Sequence, residues 1–111
     1  MEFRRLIDVD GCVYDAELFQ HSHGFESLDS VGREAFVNHI HVSGNDRELK
    51  ADRIIDAWRS NMASVFPDRV FRIYRHLTEA EIVLRFHAER TGVANWYEGN
   101  EGELLLVGTQ A

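Results

Sequence analysis

The densest set of chemically capable side chains follows Pro67, the chain's one proline. Apolar and polar residues alternate from Phe71 to Leu77 and again from Ile82 to Glu89. On two antiparallel strands joined by a tight turn near Thr78-Glu79, that period places Arg72, Tyr74, His76, Arg85 and His87 on one face. Guanidinium and imidazole donors beside a phenol hydroxyl suit a carboxylate or phosphate, because arginine makes bidentate, charge-assisted bonds. The same pattern also describes the solvated side of an antiparallel sheet, with Glu81 and Glu89 as cross-strand partners. If the face binds, a small anion or an acidic protein patch is the expected occupant.

A second constellation is the pair His39 and His41. Residues two apart on a strand share a face, so both imidazoles can reach one metal ion, with His76, His87 or a glutamate completing the set. The alternative is that Val37, His39 and His41 form the outer side of a strand whose Phe36, Ile40 and Val42 side is core. The expectation is no metal and no cofactor, with His39 and His41 as the metal alternative. His21 and His23 fall in a polar stretch and read as loop residues.

A third possibility is an acid–base pocket at one end of a sheet wrapped on a helix. Strand parity turns Asn38 and Arg75 toward the core side, with Tyr14 nearby, and a polar residue on a core face needs a partner. Cys12 stands alone on the apolar side of a hairpin and reads as a buried, inert thiol. Trp58 and Trp96 read as core or interface anchors. The chain has no phosphate-binding glycine loop, no Gly-x-Ser-x-Gly elbow, no His-Glu-x-x-His and no cysteine pair.

The elements that must carry these residues are legible in the patterning. Asp10-Gly11 predicts a hairpin with a type I′ turn, pairing Val9 with Cys12, Ile7 with Tyr14, Phe3 with Leu18 and Arg4 with Glu17. Residues 20–33 read as a loop with a short helical turn, and residues 36–42 as a third strand. Ala51, Ile54, Ile55, Trp58, Met62 and Val65 recur at helical spacing, capped by Asn45 with Glu48 and ended by Pro67: an amphipathic helix of about 20 residues. Two strands follow, and Val93–Glu98 with Glu103–Gly108 read as a last hairpin. The expected fold is α+β, a mostly antiparallel sheet of about six strands on one long helix in the order β-β-β-α-β-β-β-β, with a half-barrel as its curled form.

The 111 residues, 44% of them hydrophobic, suit a single globular domain. The longest apolar run, Leu104 to Val107, is far short of the roughly 20 residues of a membrane helix. The net charge of −7 divides into an acidic first third and last fifth around an Arg-rich middle. Such a chain repels phosphate backbones, so neither nucleic acid nor membrane is the expected partner. A single thiol and no leader-like apolar stretch fit a cytoplasmic location.

The Asn38-His39-Ile40-His41 segment is similar to the Asn-Pro-x-His segment of hot-dog hydratases. Phe36 stands where that family has its catalytic aspartate and His39 where it has proline, so the resemblance implies an architecture and no activity. That architecture, like the ketosteroid-isomerase-like one, is a helix wrapped by an antiparallel sheet. Two functions remain open beside the metal alternative. One is a small binding or interaction domain that forms a homo-oligomer, since Phe25, Trp96, Tyr97, Leu105 and Val107 exceed what a two-sided sheet covers. The other is a small acid–base or ligand-pocket enzyme.

Overall fold

In the computed structural model, which describes residues 4–96 and 103–108, the chain begins with the hairpin of β1 (Leu6–Val9) and β2 (Cys12–Asp15). Ile7 opposes Tyr14 and Val9 opposes Cys12. Asp10 and Gly11 take φ of 54° and 85°, as a type I′ turn requires. The Arg4 guanidinium lies 3.7 Å from the Glu17 carboxylate, while the Phe3 to Leu18 pairing falls outside the described residues. β2 stops three residues sooner than its alternation suggests. Asp15 caps α1 (Ala16–Gln20), its Oδ1 accepting the N–H groups of Glu17 and Leu18 at 3.1 and 3.3 Å.

A second helix corrects the expected third strand. α2 (Ser30–Val37) starts at Asp29, whose Oδ1 accepts the Gly32 N–H at 2.7 Å, and it buries Val31, Glu34, Ala35 and Val37. β3 is therefore only His39–Ser43, and Phe36 lies on the helix. Alternation over a few residues is weak evidence when a capped helical turn buries the same apolar side chains. The long helix, α3 (Arg47–Val65), buries Ala51, Ile54, Ile55, Trp58 and Met62 as expected, while Val65 is exposed. Asp46, not Asn45, stands at its N-cap, and that carboxylate meets Lys50 at 3.3 Å instead of capping.

β4 (Phe71–Leu77), β5 (Glu81–Ala88) and β6 (Glu103–Val107) join β3 in a four-stranded antiparallel sheet of order β3-β5-β4-β6. Leu77 opposes Ile82. The register thus lies two residues from the tightest turn, because the Thr78 hydroxyl accepts the N–H groups of Ala80 and Glu81 within a wider loop. A slip of two preserves which residues share a face. Among the described residues the architecture is α+β with six strands in antiparallel sheets, and the sheet is not closed into a barrel. Residues 93–96 are not a strand, and 97–102 lie outside the described residues.

The inner sheet face, with Phe71, Ile73, Leu84 and Phe86, packs on α3 together with Leu6 and Val13 of the hairpin. Trp58 meets Phe86 edge-on at 4.7 Å, and its indole N–H donates to Asp15 Oδ2 at 2.9 Å. A smaller cluster of Cys12, Tyr14, Phe25 and Val37 lies on the hairpin's other side. All four residues of β2 are therefore buried. No described helix is long and apolar enough to cross a membrane.

The two sheets are joined through polar side chains of α2 and its end. Glu34 Oε2 accepts the Val13 N–H at 2.6 Å and Oε1 the Ala88 N–H at 2.9 Å. Asn38 Oδ1 accepts the Asp15 N–H, its Nδ2 donates to the Val13 carbonyl, both at 2.9 Å, and its own carbonyl accepts the Phe86 N–H at 3.1 Å. These bonds replace a strand ladder where β2 approaches β5, meeting the requirement that buried backbone groups be paired. Arg90 closes the arrangement with both Nη atoms 2.7 Å from the Glu34 carboxylate.

Candidate functional site

The outer face of the sheet carries the five residues that alternation places together. Arg72 opposes His87, Tyr74 opposes Arg85 and His76 is directly across from Val83. β3 adds His39 opposite Arg85 and His41 opposite Val83. This side is not simply solvated. Tyr74 and His87 are buried, because the end of α2 and the segment carrying Trp96 lie against it.

His87 anchors that covering segment. Its Nδ1 is 2.9 Å from the Ala88 carbonyl, which can only accept, so Nδ1 carries the proton and Nε2 is an acceptor. Nε2 receives the Tyr74 hydroxyl at 2.9 Å and the Trp96 backbone N–H at 3.3 Å. Burial pushes the His87 pKa down, which keeps the imidazole neutral and suited to accept. Burial works to lower the Arg72 pKa, but the Glu89 carboxylate that holds it, together with Tyr74, raises it.

Arg85 is different. Its guanidinium lies 4.1 Å from the centre of the Trp96 ring, and Nη1 donates to the Ala35 carbonyl at 2.5 Å near the end of α2. Among the described residues no carboxylate lies within ion-pairing distance of it, and burial alone lowers its pKa. A half-buried cation has thus lost water without gaining an anion. The helix end and the indole ring offset part of that cost, and one of the guanidinium's five N–H groups serves the carbonyl.

His39 borders Arg85. Its Nδ1 donates to the Phe36 carbonyl at 2.7 Å, and burial pushes its pKa down, with Arg85 acting in the same direction. His41 is edge-on to it, ring centres 5.4 Å apart, with Nδ1 held by the Glu81 carboxylate at 2.9 Å. Among the described residues no group of three or more His, Cys, Asp or Glu is placed to hold a metal. His87, named above as a third ligand, has both nitrogens engaged.

Protein-family models, curated proteins and solved structures yield no match to this chain.

Tyr14, Asn38 and Arg75 do not converge. Tyr14 stacks on Phe19 at 4.7 Å in the smaller cluster, where burial raises its pKa. Asn38 is the saturated link between the sheets. Arg75 does stand on the core side, where it reaches the helix rim and pairs with Asp52 at 2.8 Å and Glu48 at 3.6 Å. A separate cleft of about 410 Å³ is lined by Asp68, Arg69, Glu89, Arg90 and Thr91, among others. Its arginines already meet carboxylates, Arg69 with Asp8 at 2.6 Å and Arg90 with Glu34.

Sequence reasoning missed Trp96 as part of the site and Glu34, Asp15 and Arg90 as its scaffold. Trp96 carries no local signal, since a backbone bond to His87 brings it onto the sheet. Glu34 was findable: Asp29 as a cap with Val31 and Ala35 four apart marks a helix, and Glu34 then lies beside its apolar stripe. Of the residues expected to overflow the sheet, Phe25 and Val107 are buried and Leu105 packs on the core, while Trp96 is exposed. Tyr97 lies outside the described residues.

Proposed function

We propose that this protein is a small cytoplasmic binding domain that receives an acidic group on the outer sheet face, centred on Arg85. The observation that carries this reading is the absence, among the described residues, of any carboxylate beside that half-buried guanidinium. Every other arginine on β4 and just after β5 has one: Arg72 has Glu89, Arg75 has Asp52 and Arg90 has Glu34. An arriving carboxylate or phosphate restores the missing partner through charge-assisted bonds. The reading needs no cofactor or metal. Addition of acetate or inorganic phosphate is expected to shift the NMR signals of Arg85, Trp96 and His39, and R85Q is expected to abolish those shifts. Shifts absent in the native protein, or unchanged in R85Q, would overturn it.

Leu106 is 59% exposed and lies across from Arg72 on the same side of the sheet, which favours assembly of the domain as a homo-oligomer. Sedimentation at micromolar concentration checks this, and a clean monomer would remove it. The Tyr74–His87 pair favours a second reading, an acid–base enzyme acting on the bound anion. That reading requires His87 to become accessible with ligand present. Diethyl pyrocarbonate labelling that never reaches His87 would sink it.

A further inference from the structure

We infer that the acidic group received at Arg85 belongs to an aromatic carboxylate, a flat ring bearing one acid. This rests on the anion-binding reading above and names its ligand class. One large ring lies over the Arg85 guanidinium, and a second stands one residue from the carbonyl that holds it. Trp96, 40% exposed, lies over it, and Phe36, 43% exposed, sits in the last turn of α2 one residue beyond Ala35, whose carbonyl holds Arg85 Nη1. The Phe36 ring centre is 6.3 Å from that of His39, the residue directly across from Arg85, and His39 continues to His41 edge-on. A single cation is therefore set among exposed aromatic rings.

Charge and shape both narrow the occupant. A phosphate dianion is best held by several cations or a nest of backbone N–H groups. Here, among the described residues, one guanidinium lacks a carboxylate, since the neighbouring Arg72 is already paired with Glu89. A planar carboxylate matches the planar fork of one arginine. The rings then favour a ligand whose body stacks, because offset or edge-on aromatic contacts add to simple burial. A small hydrophilic acid makes no use of the exposed Phe36 ring.

Calorimetric titrations with benzoate, acetate, inorganic phosphate and benzyl alcohol test this, with folding of each variant checked by circular dichroism. Benzoate is expected to bind about tenfold tighter than acetate, the gain an aromatic contact supplies, and benzyl alcohol to show no binding. F36A is expected to lower benzoate affinity toward that of acetate, W96A to weaken benzoate more than acetate, and R85Q to abolish both. Phe36 is exposed, so F36A tests the ring without disturbing the core. Benzoate binding no tighter than acetate, or phosphate binding tighter than either, would overturn the ligand class and leave the anion site standing. Benzyl alcohol binding as well as benzoate, retained in R85Q, or no binding of any anion, would overturn both.

Discussion

Arg85 lies within β5 and Arg90 two residues past its end, both are partly buried, and they meet opposite surroundings. Arg90 makes a two-pronged pair with the fully buried Glu34 carboxylate, which raises its pKa, and adds bonds to the Gly11 and Ala88 carbonyls. Arg85 has a carbonyl and an indole ring, and burial lowers its pKa. The first is closed: every strong group around it is satisfied, and it ties the hairpin to the main sheet. The second is open, with donors left over for an anion. A charge that the fold has saturated serves stability, and one without a counter-charge among the described residues is the basis of the proposed anion site.

Removing the saturated charge is the most severe way to test the contrast. Glu34→Ala leaves Arg90 without its carboxylate and orphans the Val13 and Ala88 N–H groups. A loss of about 3–5 kcal/mol is expected, as for other broken buried pairs, measured by urea unfolding. A loss below about 1 kcal/mol, the size of a surface pair, would mean the two arginines do not differ as described. Asn38→Ala removes the second link, stranding the Asp15 N–H and the Val13 carbonyl. About 2 kcal/mol is expected from these unpaired buried groups, and hydrogen exchange should rise first in β2.

Acid sharpens the comparison from between the two arginines. His87 and His39 have pKa values lowered by burial from the usual 6.5. As pH falls, the unfolded chain takes up these protons first. Their contribution to stability is therefore fully present above about pH 6.5 and is lost as pH drops toward the folded values. The melting temperature should decline between pH 7 and 5, with a shallower decline in H87Q, whose side-chain oxygen can still accept from Tyr74. A flat profile in the native protein would show that His87 is not held neutral. The smallest effect belongs to the open arginine. Arg85→Met should stay within about 1 kcal/mol of the native protein while losing anion binding. A loss like that of Glu34→Ala would make Arg85 a structural charge.

Much of this arrangement was readable before any coordinates. The Asp10-Gly11 turn, the pairing of Ile7 with Tyr14 and the helical stripe through Trp58 follow from local chemistry and period, so they needed no distant information. Period two also put Tyr74, Arg85 and His87 on one face even though the turn is wider than expected, since a slip of two keeps the faces intact. The third strand was misread because Phe36, Asn38 and Ile40 alternate by coincidence across a helix end. Tyr14, Asn38 and Arg75 stand apart because parity describes which side a residue faces, not which partner it finds there.

The sequence by itself determined the periodicities, the turn chemistry and the clustering of arginine and histidine after Pro67, because those depend on residues close in the chain. Only the tertiary structure decided which of those charges are satisfied. Glu34 reaches Arg90 across 56 positions, and Arg85 meets Ala35 across 50. Such distances are bridged by packing of α2 against β5, which no local pattern encodes. Whether a cation is neutralised is set by the long-range contacts that surround it, and so the difference between the paired Arg90 and the Arg85 proposed to bind an anion emerged only with the fold.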